Sequence, residues 1–270
     1  MFILAAVLSF IMGITLGLLG GGGSILTVPI LTEVLAMPGK EAIATSLLVV
    51  GSTAAVSTVP HARSGNVDWS TGLVFALFAM AGSYVGGRLA ALFSATVLLI
   101  LFALLMVVTA VAMLRKRPTP PGGAEPEPRP MSIPKVAAEG LVVGAVTGLV
   151  GAGGGFLVVP ALVVLGGVPM RRAVGTSLFV IALKSFTGYF GHAAHTSIDW
   201  TLTGIVTGCA VAGTFVGVAL VRRLDPNALR RAFAYFVLVM GVLFMAKQAT
   251  VLLSDDAPAS DPAERAHFMR

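Results

Sequence analysis

The sequence predicts an all-α integral membrane protein made of two inverted-topology repeats of about 131 residues. The first observation is composition, because 56% of the residues are hydrophobic and 11% are charged, against roughly 25% charged in a soluble domain. The second is a repeat, since residues 13–113 recur at 144–244 with a constant offset of 131 and no gap. The third is a series of apolar runs of about 20 residues, the length that crosses a hydrocarbon core of roughly 30 Å.

The repeat aligns rare residues as well as apolar ones. The two tryptophans of the chain, Trp69 and Trp200, coincide in this register, and His61 falls on His192. Solenoid repeats have periods of roughly 20 to 50 residues, whereas many membrane transporters are built from two related halves. The long period therefore indicates a duplicated membrane bundle.

Each half is expected to contain five apolar elements. In the first half they span 2–19, 24–36, 42–60, 71–93 and 95–114, and in the second half 136–150, 155–168, 173–192, 201–221 and 227–246. The second element of each half follows a glycine cluster and is shorter than the roughly 20 residues that a spanning helix needs. We interpret it as a short half-helix or as part of a re-entrant pair, so that eight to ten helical segments are embedded in the membrane.

The distribution of Lys and Arg predicts the orientation. The expected organisation is a first transmembrane repeat at 1–114, a proline-rich linker at 115–134, a second repeat at 135–247 and a polar C-terminal tail at 248–270. Basic residues are concentrated in the linker and in loops that alternation places on the same side, such as the loop between Arg222 and Arg231. The positive-inside rule then predicts a cytoplasmic linker. Each half crosses an odd number of times in this arrangement, so the halves are inverted and both termini are periplasmic.

Charge and cysteine content exclude several classes of function. The net charge of +6 and the pI near 10.0 do not indicate nucleic-acid binding, because the basic residues lie in short loops where they set membrane orientation. The one cysteine, Cys209, lies inside an apolar span, which argues against a disulfide framework. His192 and His195 are not part of a His-Glu-x-x-His pattern, so we expect no metal, no cofactor and no enzymatic activity.

Two glycine clusters, Gly20–Gly23 and Gly151–Gly155, precede the short elements and are the strongest local signal for a binding site. Glycine lets the backbone approach a ligand closely, and a helix that begins after it presents unpaired N–H groups to an anion. The candidate substrate-binding residues in these segments are Gly22, Gly23, Ser24, Gly153, Gly154 and Gly155. The alternative is that the glycines only allow close helix packing or a sharp turn.

A Thr-Ser pair lies near the start of the third element of each half. The pairs are Thr45-Ser46 and Thr176-Ser177, which coincide in the repeat register. Hydroxyl groups at such positions either contact the substrate in a polar cavity or cap helices. All four residues are candidate substrate-binding residues, and capping is the alternative.

Three ionisable residues lie within or at the end of the third elements. Lys184 lies inside the third element of the second half, opposite Thr53 in the first. A buried ammonium is costly in a membrane, so Lys184 is a candidate countercharge for a bound anion, with snorkelling or a packed polar pair as the alternative. His61 and His192 end the third elements and are proton-coupling candidates, with loop ordering as the alternative.

Several motifs occur in both halves. Gly-Leu-[Leu/Val]-Gly-x-Gly-Gly-[Ser/Gly]-x-Leu-x-Val-Pro occurs at Gly17–Pro29 and Gly148–Pro160, [Ala/Gly]-Thr-Ser-Leu at Ala44–Leu47 and Gly175–Leu178, and Gly-x-x-x-Gly at Gly82/Gly86 and Gly213/Gly217. In these motifs the chain resembles the TauE/SafE family, the sulfite exporter or 4-toluene sulfonate uptake permease family. The resemblance covers nearly all of the chain outside the linker and tail. It implies a multi-pass permease of the bacterial inner membrane for anions such as sulfite, sulfonates or sulfoacetate.

The expected function is therefore a secondary transporter of small anions. The substrate is expected to bind at the interface between the repeats, at helix N-termini, and to be moved by rocking of the halves. A passive anion channel is one alternative, because the same helix ends could serve it, and a membrane-embedded partner protein without transport is another. The expected partners are a small anionic substrate and the lipid bilayer. A proton or sodium as the coupling ion and a homodimer both remain open.

Overall fold

The computed structural model describes residues 2–90, 92–93, 95–115, 132–150, 155–193 and 198–255. Every regular element in these ranges is a helix, which confirms the predicted all-α fold. The first half contains α1 (Phe2–Leu19), α2 (Ser24–Pro29), α3 (Gly39–Arg63), α4 (Trp69–Ala90) and α5 (Ala95–Arg115). The second half contains α6 (Ile133–Val150), α7 (Gly155–Pro160), α8 (Met170–Ala193), α9 (Trp200–Arg223) and α10 (Pro226–Asp255).

Four stretches of these helices are long and apolar enough to cross a membrane by length and composition alone. They are Glu41–Arg63, Trp69–Gly86, Trp200–Val221 and Pro226–Ala246. Shorter apolar helices span Ile3–Leu19, Ala103–Arg115 and Gly155–Leu165. The outward faces of the helices are apolar, with Ile3, Leu77 and Val239 each more than half exposed. A bilayer is the solvent that such a surface requires.

The elements that follow the glycine clusters are short, as the sequence predicts. Each contains six α-helical residues and continues into five π-helical residues, Ile30–Val34 after α2 and Ala161–Leu165 after α7. At 1.5 Å per residue such a segment is at most about 16 Å long, roughly half the thickness of a hydrocarbon core.

The ends of the other helices differ from the expected boundaries by a few residues. The exception is α10, which continues to Asp255 and so extends into the segment expected as a polar tail from residue 248. Most of the predicted linker, residues 116–131, and the last fifteen residues, 256–270, lie outside the described residues.

Helices from the two halves pack in matching pairs. Helix α1 packs against α9, and its repeat equivalent α6 packs against α4, the equivalent of α9. The remaining pairs, α3 with α8, α5 with α10 and α2 with α7, each join two equivalent helices. The pattern of contacts is therefore the same when the two halves are exchanged, which is the pattern that a two-fold relation between the halves produces.

Glycine allows the backbones of the paired helices to touch. A Cβ atom at Gly13 of α1 would collide with the carbonyl oxygen of Ala210 in α9. A Cβ atom at Gly144 of α6, the repeat equivalent of Gly13, would collide with the carbonyl oxygen of Ala79 in α4. Gly82 and Gly213 of the Gly-x-x-x-Gly motifs lie equally close to the opposing backbone. These glycines therefore serve helix packing of the small-residue type found in membranes.

Candidate functional site

The glycine segment that precedes α2 lies against Gly155, the first residue of α7. A Cβ atom at Gly21 would collide with the carbonyl oxygen of Gly155, and a Cβ atom at Gly155 would lie 2.9 Å from the hydroxyl oxygen of Ser24. The Ser24 hydroxyl donates a hydrogen bond to the carbonyl of Gly21 at 2.7 Å. The N-terminal ends of the two short helices therefore meet, one from each half. A helix N-terminus carries the positive end of the helix dipole, so this meeting point favours an anion.

Both the backbone conformation and the close packing require a glycine at position 20. Its φ angle is +73°, in the left-handed region that side chains other than glycine rarely adopt. A Cβ atom there would lie 2.5 Å from the hydroxyl oxygen of Ser177 in α8. The turn at Gly20 thus brings the first glycine cluster onto the start of α8, where the sequence predicts substrate-binding hydroxyls.

Gly22 and Gly23 have different surroundings. A Cβ atom at Gly22 would lie 3.3 Å from the ring of Phe236 in α10, whereas one at Gly23 would lie 2.6 Å from the carbonyl oxygen of Met12 in α1. α1 therefore leaves no room for a side chain at Gly23, and contact of Gly23 with a substrate stays a prediction. Gly153 and Gly154 lie outside the described residues.

The two serines of the Thr-Ser pairs make equivalent bonds inside their own helices. Ser46 donates to the carbonyl of Ile43 at 2.8 Å, and Ser177 donates to the carbonyl of Val174 at 2.7 Å. Both hydroxyl protons are therefore used by the helix backbone. Each hydroxyl oxygen still has a lone pair with which it can accept a bond.

The two threonines differ. Thr176 in α8 accepts a hydrogen bond from the backbone N–H of Asp68 at 3.0 Å, which ties the α3–α4 connection to α8. Thr45, its repeat equivalent, is fully buried, and its hydroxyl has no hydrogen-bond partner among the described residues. A buried hydroxyl without a partner is costly, so Thr45 is the more suggestive of the two as a contact to a ligand.

The two aspartates before α4 and α9, Asp68 and Asp199, act as helix caps. The carboxylate of Asp68 accepts bonds from the backbone N–H and the hydroxyl of Thr71 at 3.0 and 2.7 Å. The carboxylate of Asp199 accepts from the backbone N–H of Leu202 at 3.0 Å. Each carboxylate therefore satisfies a free donor at a helix N-terminus.

Lys184 is held inside the bundle by a hydroxyl from α6. Its Nζ donates to Thr147 Oγ1 at 3.1 Å, and Thr147 in turn donates to the carbonyl of Gly144 at 3.0 Å. Ser83 of α4 donates to the same carbonyl at 3.1 Å. No carboxylate pairs with Lys184 in the described part of the chain. No described side chain therefore carries a negative charge next to the Lys184 ammonium. Its other N–H groups are left to bind a ligand.

Three residues spaced by four and three positions form what we call the inner face of α8: Ser177, Ile181 and Lys184. Residues at this spacing lie on one side of a helix. Ser177 faces Gly20, and a Cβ atom at Gly155 would lie 3.1 Å from the side chain of Ile181. Lys184 therefore follows one turn after the residue that contacts the meeting point of the short helices.

His61 lies at the end of α3 and is buried, with 2% of its surface exposed. Its Nε2 is 3.3 Å from the carbonyl oxygen of Gly17 in α1. The backbone carbonyl of His61 also accepts from Asn66 N–H at 2.9 Å, which orders the loop before α4. His61 thus orders a loop, and its ring is positioned next to the segment that leads into the first glycine cluster. His192 lies in α8, but its side chain is outside the described residues.

Sequence reasoning missed Ser83 and Thr147. Each is a single hydroxyl in an apolar helix, and such residues commonly bond to their own backbone, so nothing local distinguishes them. The repeat offered one signal for Ser83. Ser83 of α4 coincides with Thr214 of α9 in the repeat register, so both equivalent helices have a hydroxyl at the same position.

A cavity of about 420 Å³ lies on another side of α8. It is lined mainly by apolar residues of α3 and α8, with Arg63 and Trp69 at one end. Phe179 and Phe186 line it, so it does not adjoin the inner face of α8. Within the described residues, no three His, Cys, Asp or Glu side chains are grouped as metal ligands would be.

Comparison with known proteins identifies a family and several relatives. The model of the family described as sulfite exporter TauE/SafE matches residues 5–244. A probable membrane transporter protein of Xylella fastidiosa (strain 9a5c) is 33% identical over 235 residues, which cover 86% of this chain and 90% of that protein. The probable membrane transporter protein YunE of Bacillus subtilis (strain 168) is 28% identical over 261 residues, covering 89% and 96%.

A second protein of Bacillus subtilis (strain 168), the probable membrane transporter protein YdhB, is 25% identical and covers 87% of this chain. No solved structure matches the chain significantly. The family match extends from α1 into α10 and includes both glycine clusters, and the apolar helices agree with a multi-pass membrane protein. The chain therefore belongs to the sulfite exporter TauE/SafE family of membrane transporters.

Proposed function

We propose that this transporter carries small sulfur-containing or organic anions, such as sulfite, sulfonates or sulfoacetate, and binds them where the N-terminal ends of α2 and α7 meet. The observation that carries the proposal is the contact of Gly21 with Gly155, together with Lys184 one turn farther along the inner face of α8. Two positive dipole ends and one ammonium favour an anion over a neutral or cationic substrate.

The proposed site takes residues from both halves. Gly22 and Ser24 come from the first cluster, and Gly153, Gly154 and Gly155 from the second. The hydroxyl groups of Thr45, Ser46, Thr176 and Ser177 provide further polar contacts, with the unpaired Thr45 the strongest candidate. Gly23 is a candidate contact through its backbone only, because α1 already occupies the space beside it.

The family name supports the choice of substrate class. Sulfite and the sulfonate group each present three oxygens with delocalised negative charge, which suits several N–H and hydroxyl donors around one centre. Lys184 then acts as the countercharge, with its remaining N–H donors directed at the anion.

The transport cycle that we propose is rocking of the two halves about this central site, with the halves inverted in the inner membrane and both termini periplasmic. His61 and His192 are the candidates for carrying a coupled proton, because each ends the helix that contributes the hydroxyl pair of its half. Sodium is the other candidate for the coupling ion.

Counterflow in proteoliposomes tests the proposed function. Purified protein is reconstituted in liposomes loaded with unlabelled sulfite or sulfoacetate, and radiolabelled anion is added outside. A carrier exchanges the two and accumulates label transiently above the outside concentration. A passive channel gives equilibration without this overshoot, and a protein without transport gives neither, so either result would overturn the proposal.

A further inference from the structure

The two halves contain related polar clusters that differ in charge. In what we call the neutral cluster, Thr214 of α9 donates to the carbonyl of Gly13 in α1 at 3.0 Å, and Ser57 of α3 lies 2.9 Å from Thr214 Oγ1. In the cationic cluster, Ser83 of α4 donates to the carbonyl of Gly144 in α6, the repeat equivalents of Thr214 and Gly13. The cationic cluster adds the hydroxyl of Thr147 and the ammonium of Lys184.

The two clusters differ in where their hydroxyl protons are donated. In the neutral cluster the Thr214 proton goes to the Gly13 carbonyl, so Ser57 is the donor to Thr214, and the chain of bonds is complete without a charge. Leu16 occupies the position there that corresponds to Thr147. The neutral cluster therefore has one hydroxyl beside its carbonyl, and a neutral donor satisfies it.

In the cationic cluster two hydroxyls share one carbonyl. Thr147 and Ser83 both donate to Gly144, at 3.0 and 3.1 Å, while their own oxygens are 3.5 Å apart. Whether Ser83 donates to the carbonyl or shares a bond with Thr147, both hydroxyl protons are used within this group, so the free positions on the two hydroxyl oxygens are lone pairs. A group of oxygen acceptors without a donor is an environment for a cation, as are the backbone carbonyls that coordinate sodium in some transporters.

We propose that the ammonium of Lys184 occupies a monovalent-cation site formed by Thr147 and Ser83, and that it replaces a sodium ion as the resident cation of the substrate site. The role of this ammonium in transport rests on the proposed function, in which it supplies the positive charge next to the bound anion. Lys184 is anchored by one donor to Thr147 and keeps the others for the substrate. Anion binding therefore needs no sodium at this position.

The test is the thermal stability of the purified full-length protein in sodium, ammonium or choline chloride at equal ionic strength. Wild-type protein, in which the ammonium already occupies the site, is the reference for any effect of the salts elsewhere on the protein. Lys184→Ala leaves the acceptors without a cation, so sodium or ammonium chloride should raise its unfolding midpoint by about 3 °C over choline chloride. Adding Thr147→Val to Lys184→Ala should abolish this rise.

Ser57→Ala in the neutral cluster is the matched control and should gain no cation dependence. A rise that is no larger in Lys184→Ala than in wild-type protein would overturn the inference, and so would a rise that survives the addition of Thr147→Val. This test measures stability and not transport, so its result remains valid even if the counterflow experiment fails.

Discussion

Gly21 and Gly155 lie so close that a Cβ atom on Gly21 would overlap the carbonyl oxygen of Gly155. The two residues belong to different halves: Gly21 precedes α2, and Gly155 is the first residue of α7. This contact links the packing of the halves to the geometry of the proposed anion site, because any side chain at Gly21 must push the two helix ends apart.

Gly21→Val is therefore expected to abolish transport and to lower the free energy of unfolding by about 1–3 kcal/mol or more, as overpacking does. The measurements are counterflow and thermal unfolding in detergent. Gly208→Ala in α9 is the control, because nothing lies within 4 Å of a Cβ atom there. It should leave flux unchanged and stability equal or slightly higher, since alanine favours a helix more than glycine does. Normal flux in Gly21→Val would argue that the site lies elsewhere.

A second prediction separates backbone strain from crowding. Gly20 and Gly65 have nearly the same positive φ angle, +73° and +68°, but a Cβ atom would meet Ser177 at Gly20 and open space at Gly65. Gly65→Ala should cost about 1–2 kcal/mol of stability, the cost of a left-handed conformation alone. Gly20→Ala adds the clash and should cost more and reduce transport. Equal losses in chemical denaturation would show that Ser177 can give way.

A third prediction compares two equivalent threonines. Thr176→Val removes the acceptor of the Asp68 N–H and should destabilise the protein by about 1–3 kcal/mol. Thr45→Val should leave stability unchanged or raise it, because the Thr45 hydroxyl is buried without a partner among the described residues. Under the proposed function Thr45→Val nevertheless weakens anion binding. A stable Thr45→Val protein with unchanged substrate affinity would exclude Thr45 from the site.

The fourth prediction concerns orientation. A periplasm-active reporter fused after Arg270 should be active, while the same reporter fused after Arg117 should be inactive, because the positive-inside rule puts the linker in the cytoplasm. The fusion after Arg270 avoids interrupting α10, which continues to Asp255. Reporters on the same side of the membrane would contradict the inverted arrangement of the halves.

The helices were predictable from sequence because a bilayer imposes length and apolar content on each one. The short elements were predictable because each follows a glycine cluster and has fewer apolar residues than a membrane-spanning helix needs. The partner of each helix was not, since the contact of α1 with α9 and of α6 with α4 depends on glycines such as Gly13 and Gly144, which look alike in sequence whether they face a helix or lipid. Lys184 was predictable as a costly charge, whereas its partner Thr147 is an ordinary hydroxyl until α8 is placed beside α6.

The last prediction tests Lys184 as the countercharge of the anion. Lys184→Met keeps a side chain of similar length and removes the charge, so substrate affinity should fall by about 5-fold to 150-fold, the equivalent of about 1–3 kcal/mol for a charge-assisted contact. Lys184→Arg should retain part of the affinity, because the guanidinium keeps the charge but fits Thr147 less well. Affinity is measured by the concentration dependence of counterflow or by direct binding to detergent-solubilised protein.

Thr147→Val is the matched control for the same contact. It keeps the ammonium and removes only its anchor, so its affinity should fall less than that of Lys184→Met. High salt should not restore binding in Lys184→Met, because a site shielded from bulk solvent is screened little. If Lys184→Met binds substrate as tightly as wild-type protein, Lys184 is a structural residue that satisfies Thr147, and the ends of α2 and α7 hold the anion alone.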